Sequence, residues 1–172
     1  MRKRARPTAC SASGTSLRDH WHVRTPRWSE LDKAFSDDMF LPDGIVEATD
    51  SGDWQAALNL PAARGWQVRS PDGTRLEDLS IERLLADDQL HTIAIWPSRG
   101  VQINLFPRSL SSIDFDFSTR EVVDQASFDV LCDFLRSLGR VVGKPVKVLF
   151  EGTDLEILRY EPGSDGFVLA EI

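Results

Sequence analysis

Residues 111–151 read SSIDFDFSTREVVDQASFDVLCDFLRSLGRVVGKPVKVLFE, and this stretch decides the fold. Ile113, Phe115 and Phe117 alternate with Ser112, Asp114 and Asp116, which is the period of a half-buried strand. Phe128, Leu131, Leu135, Leu138 and Val142 then recur at helical spacing. Gly143 and Pro145 stop the helix, and VKVLF resumes as a strand. The spacing predicts a helix over 125–142 between strands over 113–117 and 146–150. A right-handed crossover makes these two strands parallel and lays the helix on their apolar side.

Similar punctuation organises the rest of the chain. Residues 44–49 (GIVEAT) read as a strand. Asp50 or Ser51 can cap a helix over 53–64, with Trp54, Ala57, Leu58 and Leu60 as its apolar stripe and Pro61 expected to end it early. A strand over 66–69 and a second helix over 76–87 follow. Strands over 91–96 and 101–106 flank a four-residue loop, 97–100, and form a meander with 113–117. Residues 155–160 and 167–172 make a closing hairpin that is expected to bury Leu155, Ile157, Phe167 and Leu169. The fold class is α+β: a two-layer sandwich of a mixed sheet with two to three helices on one face and an irregular N-terminal extension.

The expected boundaries are a basic, flexible extension over 1–38 and a single α+β domain over 39–172. Within the extension, Pro26 at a first helical position and Trp28, Leu31, Phe35 and Met39 on one side predict a short helix. Met1 and Met39 are the two methionines, and the regular pattern begins just after the second. Residues 1–38 are therefore expected to be dispensable, with Met39 as a start. The competing expectation is that Trp21, Trp28 and Phe35 fold back over the open side of the meander.

Charge divides the chain. Residues 1–27 carry seven Arg/Lys against one Asp, and residues 28–172 carry 13 against 26, which together make the net charge of −7. An acidic body repels nucleic acid and anionic membrane and steers a basic partner inward. The basic tail alone would give weak, salt-sensitive contact with nucleic acid. No apolar run approaches the ~20 residues of a membrane span. The two cysteines, Cys10 and Cys132, are far apart in sequence, so a reducing, cytoplasmic setting is expected. Glycines stand singly, with no phosphate-cradling loop, and no cofactor is expected.

Reactive groups are few. Asp114 and Asp116 project from one side of one strand, and Glu121 follows, so the three could serve a divalent metal. His20-Trp21-His22 supplies two imidazoles where zinc needs three or four ligands. His91 reads as structural, and Cys132, beside the helix stripe, as a small core residue. No catalytic residue and no metal ligand is assigned. The most distinctive surface is the side of the meander turned away from the helices: Trp96, Gln102, Asn104, Phe106, Asp114 and Asp116. Aromatics set among small polar and acidic groups make a protein-binding face.

Two segments also carry a family resemblance. D-F-D-x-x-x-R-E-V with F-D-x-L-C-D-F-L-R-S-L-G-R-x-x-G-K-P-V, over 114–146, and D-W-Q-A-A-L with R-G-W, over 53–66, resemble small bacterial α/β proteins. Members of this loose group are proposed as immunity proteins to polymorphic toxins. The resemblance spans about 40–170, its motifs are structural, and it implies no catalytic residue. The expected function is a non-enzymatic acidic binding protein, in its sharper form an immunity-type protein that occludes a basic toxin domain. The alternative is a metal-dependent hydrolase or nuclease-like enzyme using Asp114, Asp116 and Glu121.

Overall fold

Eight strands form one sheet in the order β2-β3-β4-β5-β1-β6-β7-β8. The computed structural model describes residues 25–35, 41–86 and 89–170. Along the chain these hold β1 (Asp43–Glu47), α1 (Ser51–Arg64), β2 (Gln67–Arg69), α2 (Ile81–Leu85), β3 (Ile93–Ser98), β4 (Val101–Phe106) and β5 (Ser112–Phe117). Helix α3 (Gln125–Val142), β6 (Val146–Leu149), β7 (Glu156–Glu161) and β8 (Gly166–Leu169) complete it. The α+β class and the two layers are as the residue pattern predicts. Every pairing is antiparallel, however, where a mixed sheet was expected. Strands β5 and β6 do run the same way, but β1 lies between them and is antiparallel to both. A crossover helix fixes relative direction and leaves adjacency open.

Alternation places the core. In β4 and β5, Val101, Ile103, Leu105, Ile113, Phe115 and Phe117 are buried, while the residues between them are half-buried. Helix α3 answers with Phe128, Leu131, Cys132, Phe134, Leu135, Leu138 and Val142, all buried. Phe134 meets Phe115 edge-on at 5.4 Å between ring centroids. Asp124 caps α3 by accepting from the Ser127 N–H at 2.8 Å, and Gly143 ends it in the left-handed conformation. Gly44 and Gly139 have a different task. A Cβ at Gly44 would overlap the Phe115 ring, and one at Gly139 the Tyr160 ring, so both glycines are sites of close approach.

Several local expectations change. Helix α1 runs through Pro61 to Arg64: Pro61 is buried, and that packing offsets the one i→i−4 bond that its missing N–H forgoes. The Pro61 carbonyl accepts from Trp66 N–H at 2.9 Å and so helps close the end. The helix expected over 76–87 is a 3-10 turn, Leu76–Asp78, followed by the five-residue α2. Leu79 is extended between them, and Ser80 caps α2 through the Arg83 N–H. Strand β3 continues through Pro97 to Ser98, leaving Arg99-Gly100 as a tight turn beside an irregular register. In β7 a register shift brings Ile157 and Leu158 both into the core and leaves Leu155 exposed before the strand, against expectation.

The boundary at residue 38 also moves. Residues 25–35 pack onto the domain through a 3-10 turn, Trp28–Glu30, and the turns after it. Leu31, Ala34 and Phe35 are buried in the common core. Trp28 stacks on Phe35 at 5.7 Å, and Phe35 reaches Phe117 and Phe128. The Gln125 side-chain Oε1 accepts from Trp28 N–H at 2.8 Å, and Arg136 donates to the Thr25 hydroxyl at 3.1 Å. Trp28 and Phe35 therefore lie on the helix side of the sheet, and among the described residues no segment covers its other face. Trp21, Met39 and the His20-Trp21-His22 segment lie outside the described residues.

Phe35→Ala is expected to cost about 3–5 kcal/mol in urea unfolding, the range of a buried phenylalanine deletion. A cost under about 0.5 kcal/mol would return residues 25–35 to a dispensable tail. Gly44→Ala is expected to destabilise by about 1–3 kcal/mol through overpacking, and Phe115→Leu in the same chain to recover part of it. No recovery would show that Phe115 is not what Gly44 accommodates.

Candidate functional site

The open face of the sheet is built by register. Across β4, β5 and β1, Asn104 stands opposite Asp116, and Asp116 opposite Asp43. One step along, Phe106 pairs with Asp114, Asp114 with Ile45, and Ile45 with Lys147 of β6. The structure thus brings five of the six expected residues together on two neighbouring strands. Gln102 donates to Asn104 at 2.7 Å, Asn104 donates to Asp116 at 2.7 Å, and Phe106 adjoins Asp114. Trp96 shares the face from β3, where it pairs with Gln67. The Arg69 guanidinium lies 5.7 Å from its ring centroid, and Arg108 lies 4.7 Å from that of Phe106.

Electrostatics differ between the two halves of this face. On β6 and β7 the charges are paired: Lys147 with Glu47 at 2.6 Å and Glu156 at 3.8 Å, and Arg159 with Glu156 at 3.1 Å. Arg159 Nε also stands 2.7 Å from Glu161, a charge contact whose N–H is not aligned for a hydrogen bond. At the centre the carboxylates have neutral partners. Asp114 accepts from the Ser112 hydroxyl at 3.2 Å, Asp116 from the Asn104 amide, and Asp43 from the Gly152 N–H at 2.8 Å. None of the three has an ion pair among the described residues. Burial pushes the Asp114 carboxyl up from the ordinary value, the Ser112 bond and the Arg108 charge oppose this, and Asp43 adds to it. Asp116 is raised in the same way, chiefly by burial, with Asp43 and Glu151 reinforcing it against Asn104 and Arg108.

Asp43 is the residue that sequence reasoning missed, because the strand was started at Gly44. The alternation Asp43, Ile45, Glu47 was the signal that could have found it. Glu121 does not join the aspartates. It sits in the 3-10 turn after β5, and its carboxylate accepts from the Gln102 backbone N–H at 2.8 Å. Among the described residues no three His, Cys, Asp or Glu side chains are grouped to hold a metal ion, so the trio Asp114, Asp116 and Glu121 is not a ligand set. Cys132 is buried, and desolvation pushes its thiol well above the ordinary value, which removes it as a nucleophile. His91 lines a surface pocket with Asp72 and Arg83 on the side of α2.

Comparison of the chain with protein-family models, with curated proteins and with solved structures gives no match. No helix among the described residues is long and apolar enough to cross a membrane.

The raised carboxyls carry a stability consequence of definite sign. A carboxyl raised in the folded state binds more protons folded than unfolded, so stability falls as pH rises through the window above the ordinary aspartate value. Asp114→Asn/Asp116→Asn is therefore expected to be at least as stable as the parent at pH 7. Its advantage should close as pH falls toward about 4, where the aspartates protonate in both states. Urea unfolding across this range reads it, and a variant that loses stability only above that window would reverse the assigned sign.

Proposed function

We propose that this chain is a non-enzymatic binding protein whose open sheet face docks on a basic protein partner. The observation that carries the reading is the pair Asp114 and Asp116, half-desolvated, each repelled by the exposed Asp43 and only partly offset by Arg108, with no ion pair to any of the three among the described residues. Like charges opposed across a strand pair are destabilising, and a partner's cations would relieve them on contact. Phe106 pairs with Asp114 and Trp96 lies on the same face from β3, and large aromatics of this kind are enriched at interfaces. The acidic body would add a steering field that speeds encounter at low salt.

In its sharper form the partner is a basic toxin domain and the protein an immunity-type inhibitor, held by occlusion of the partner's surface. The resemblance over 53–66 and 114–146 supports this form, and so does the charge sign. An enzyme reading gains nothing from the position of Glu121, which is tied to the β4 backbone.

A fluorescein-labelled hexa-arginine peptide tests the face. Binding followed by anisotropy at low salt is expected to weaken about 3- to 10-fold in Asp114→Asn/Asp116→Asn, which removes two rim-type charge contacts, and the difference should shrink as salt rises. Asp78→Asn/Glu82→Gln removes the same charge from exposed positions near α2 and is expected to leave affinity unchanged. Equal losses in the two variants would mean that net charge, and not this face, binds the peptide.

A further inference from the structure

A small pocket opens on the same face beside the acidic centre. It is lined by apolar Ile45 and Leu149, by acidic Glu47, Asp154 and Glu156, and by Lys147. Its volume is about 190 Å³. Small-molecule and cofactor sites run to roughly 300–1,000 Å³, so this pocket suits one long side chain better than a free ligand. One wall is pinned: Asp43 accepts from Gly152 N–H, Phe150 N–H donates to the Leu155 carbonyl at 2.9 Å, and Leu155 N–H donates to the Thr153 hydroxyl at 3.2 Å. A wall already ordered loses little on binding.

The charges favour a cation. Lys147 is engaged by Glu47 and Glu156, and Arg159 also neutralises Glu156. Asp154 has no ion pair among the described residues. A lining that joins apolar side chains to carboxylates matches a side chain with a methylene stem and a charged end. Building on the docking face above, and resting on that reading, we propose that this pocket is the anchor for one arginine or lysine of the basic partner. The stem lies on Ile45 and Leu149, and the charge reaches Asp154. The neighbouring cations of the same partner then face Asp114, Asp116 and Asp43.

Two labelled hexapeptides of equal charge test this against the full chain. One is hexa-arginine. The other is the hexamer of 2-amino-3-guanidinopropionic acid, which keeps the guanidinium on a stem two methylenes shorter. Seating in the pocket predicts that hexa-arginine binds about three- to tenfold more tightly, since each buried methylene contributes to affinity. It also predicts that Asp154→Asn weakens hexa-arginine about two- to threefold, and that the Ile45 and Leu149 methyl resonances shift on titration. Equal binding of the two peptides, with still methyls and no effect of Asp154→Asn, overturns the pocket. If Asp114→Asn/Asp116→Asn still weakens binding in that case, the docking face stands without its anchor. No binding of either peptide overturns both.

Discussion

Strand β1 joins the four strands β2–β5 to the three strands β6–β8, and it can do so because Gly44 leaves its backbone bare against the Phe115 ring. The acidic centre and the pocket beside it depend on that insertion. It sets Asp43 opposite Asp116 and Ile45 opposite both Asp114 and Lys147. With β5 and β6 adjacent, the two aspartates of β5 would face Lys147 more directly and the acidic centre would be partly neutralised. A glycine chosen for packing on the helix side thus fixes the charge pattern on the other side.

The two faces of the sheet are governed by opposite physics. The helix side is apolar and interlocked, with Phe115 against Phe134, and Phe35 against Phe117 and Phe128. Tyr160 packs over Gly139, and its hydroxyl donates at 2.7 Å to Asp165, which Arg140 also holds. Stability is concentrated there. The open side keeps half-desolvated carboxylates that work against the folded state. A sheet selected for stability alone would carry threonine or a cross-strand ion pair at these positions, as β6 and β7 do with Lys147, Glu156 and Arg159. Charges that disfavour the free protein are available to favour a complex, and this is the physical basis for placing binding on this face.

Much of this was legible in the sequence wherever the determinants are local. The bounds of α3 and β4 follow from periodicity, from Gly143 and Pro145 as the helix stop and from the loop that ends at Gly100. The open-face members of β4 and β5 follow from strict alternation. What was not legible is set by distant pairing. Nothing near Asp43 signals that residues 112–116 lie on one edge of its strand and residues 147–149 on the other. Leu31 and Phe35 fall in the expected extension because the regular strand and helix pattern begins only at Gly44. Nothing local signals that Phe35 meets Phe117 and Phe128, or that Trp28 N–H reaches Gln125. Leu155 was misplaced because a bulge in β7 resets the alternation, and a period of two cannot reveal an extra residue.

The proposed docking makes Asp114 and Asp116, which have no ion pair among the described residues, an anionic centre that a basic partner neutralises. Carboxyl carbon shifts of these two residues, followed by NMR across an acid titration with and without saturating hexa-arginine, measure this directly. Both are expected to titrate above the ordinary aspartate value in the free protein and to fall when the peptide is bound, since a cation favours the charged form. Ordinary values in the free protein, or values that do not move on binding, would contradict it.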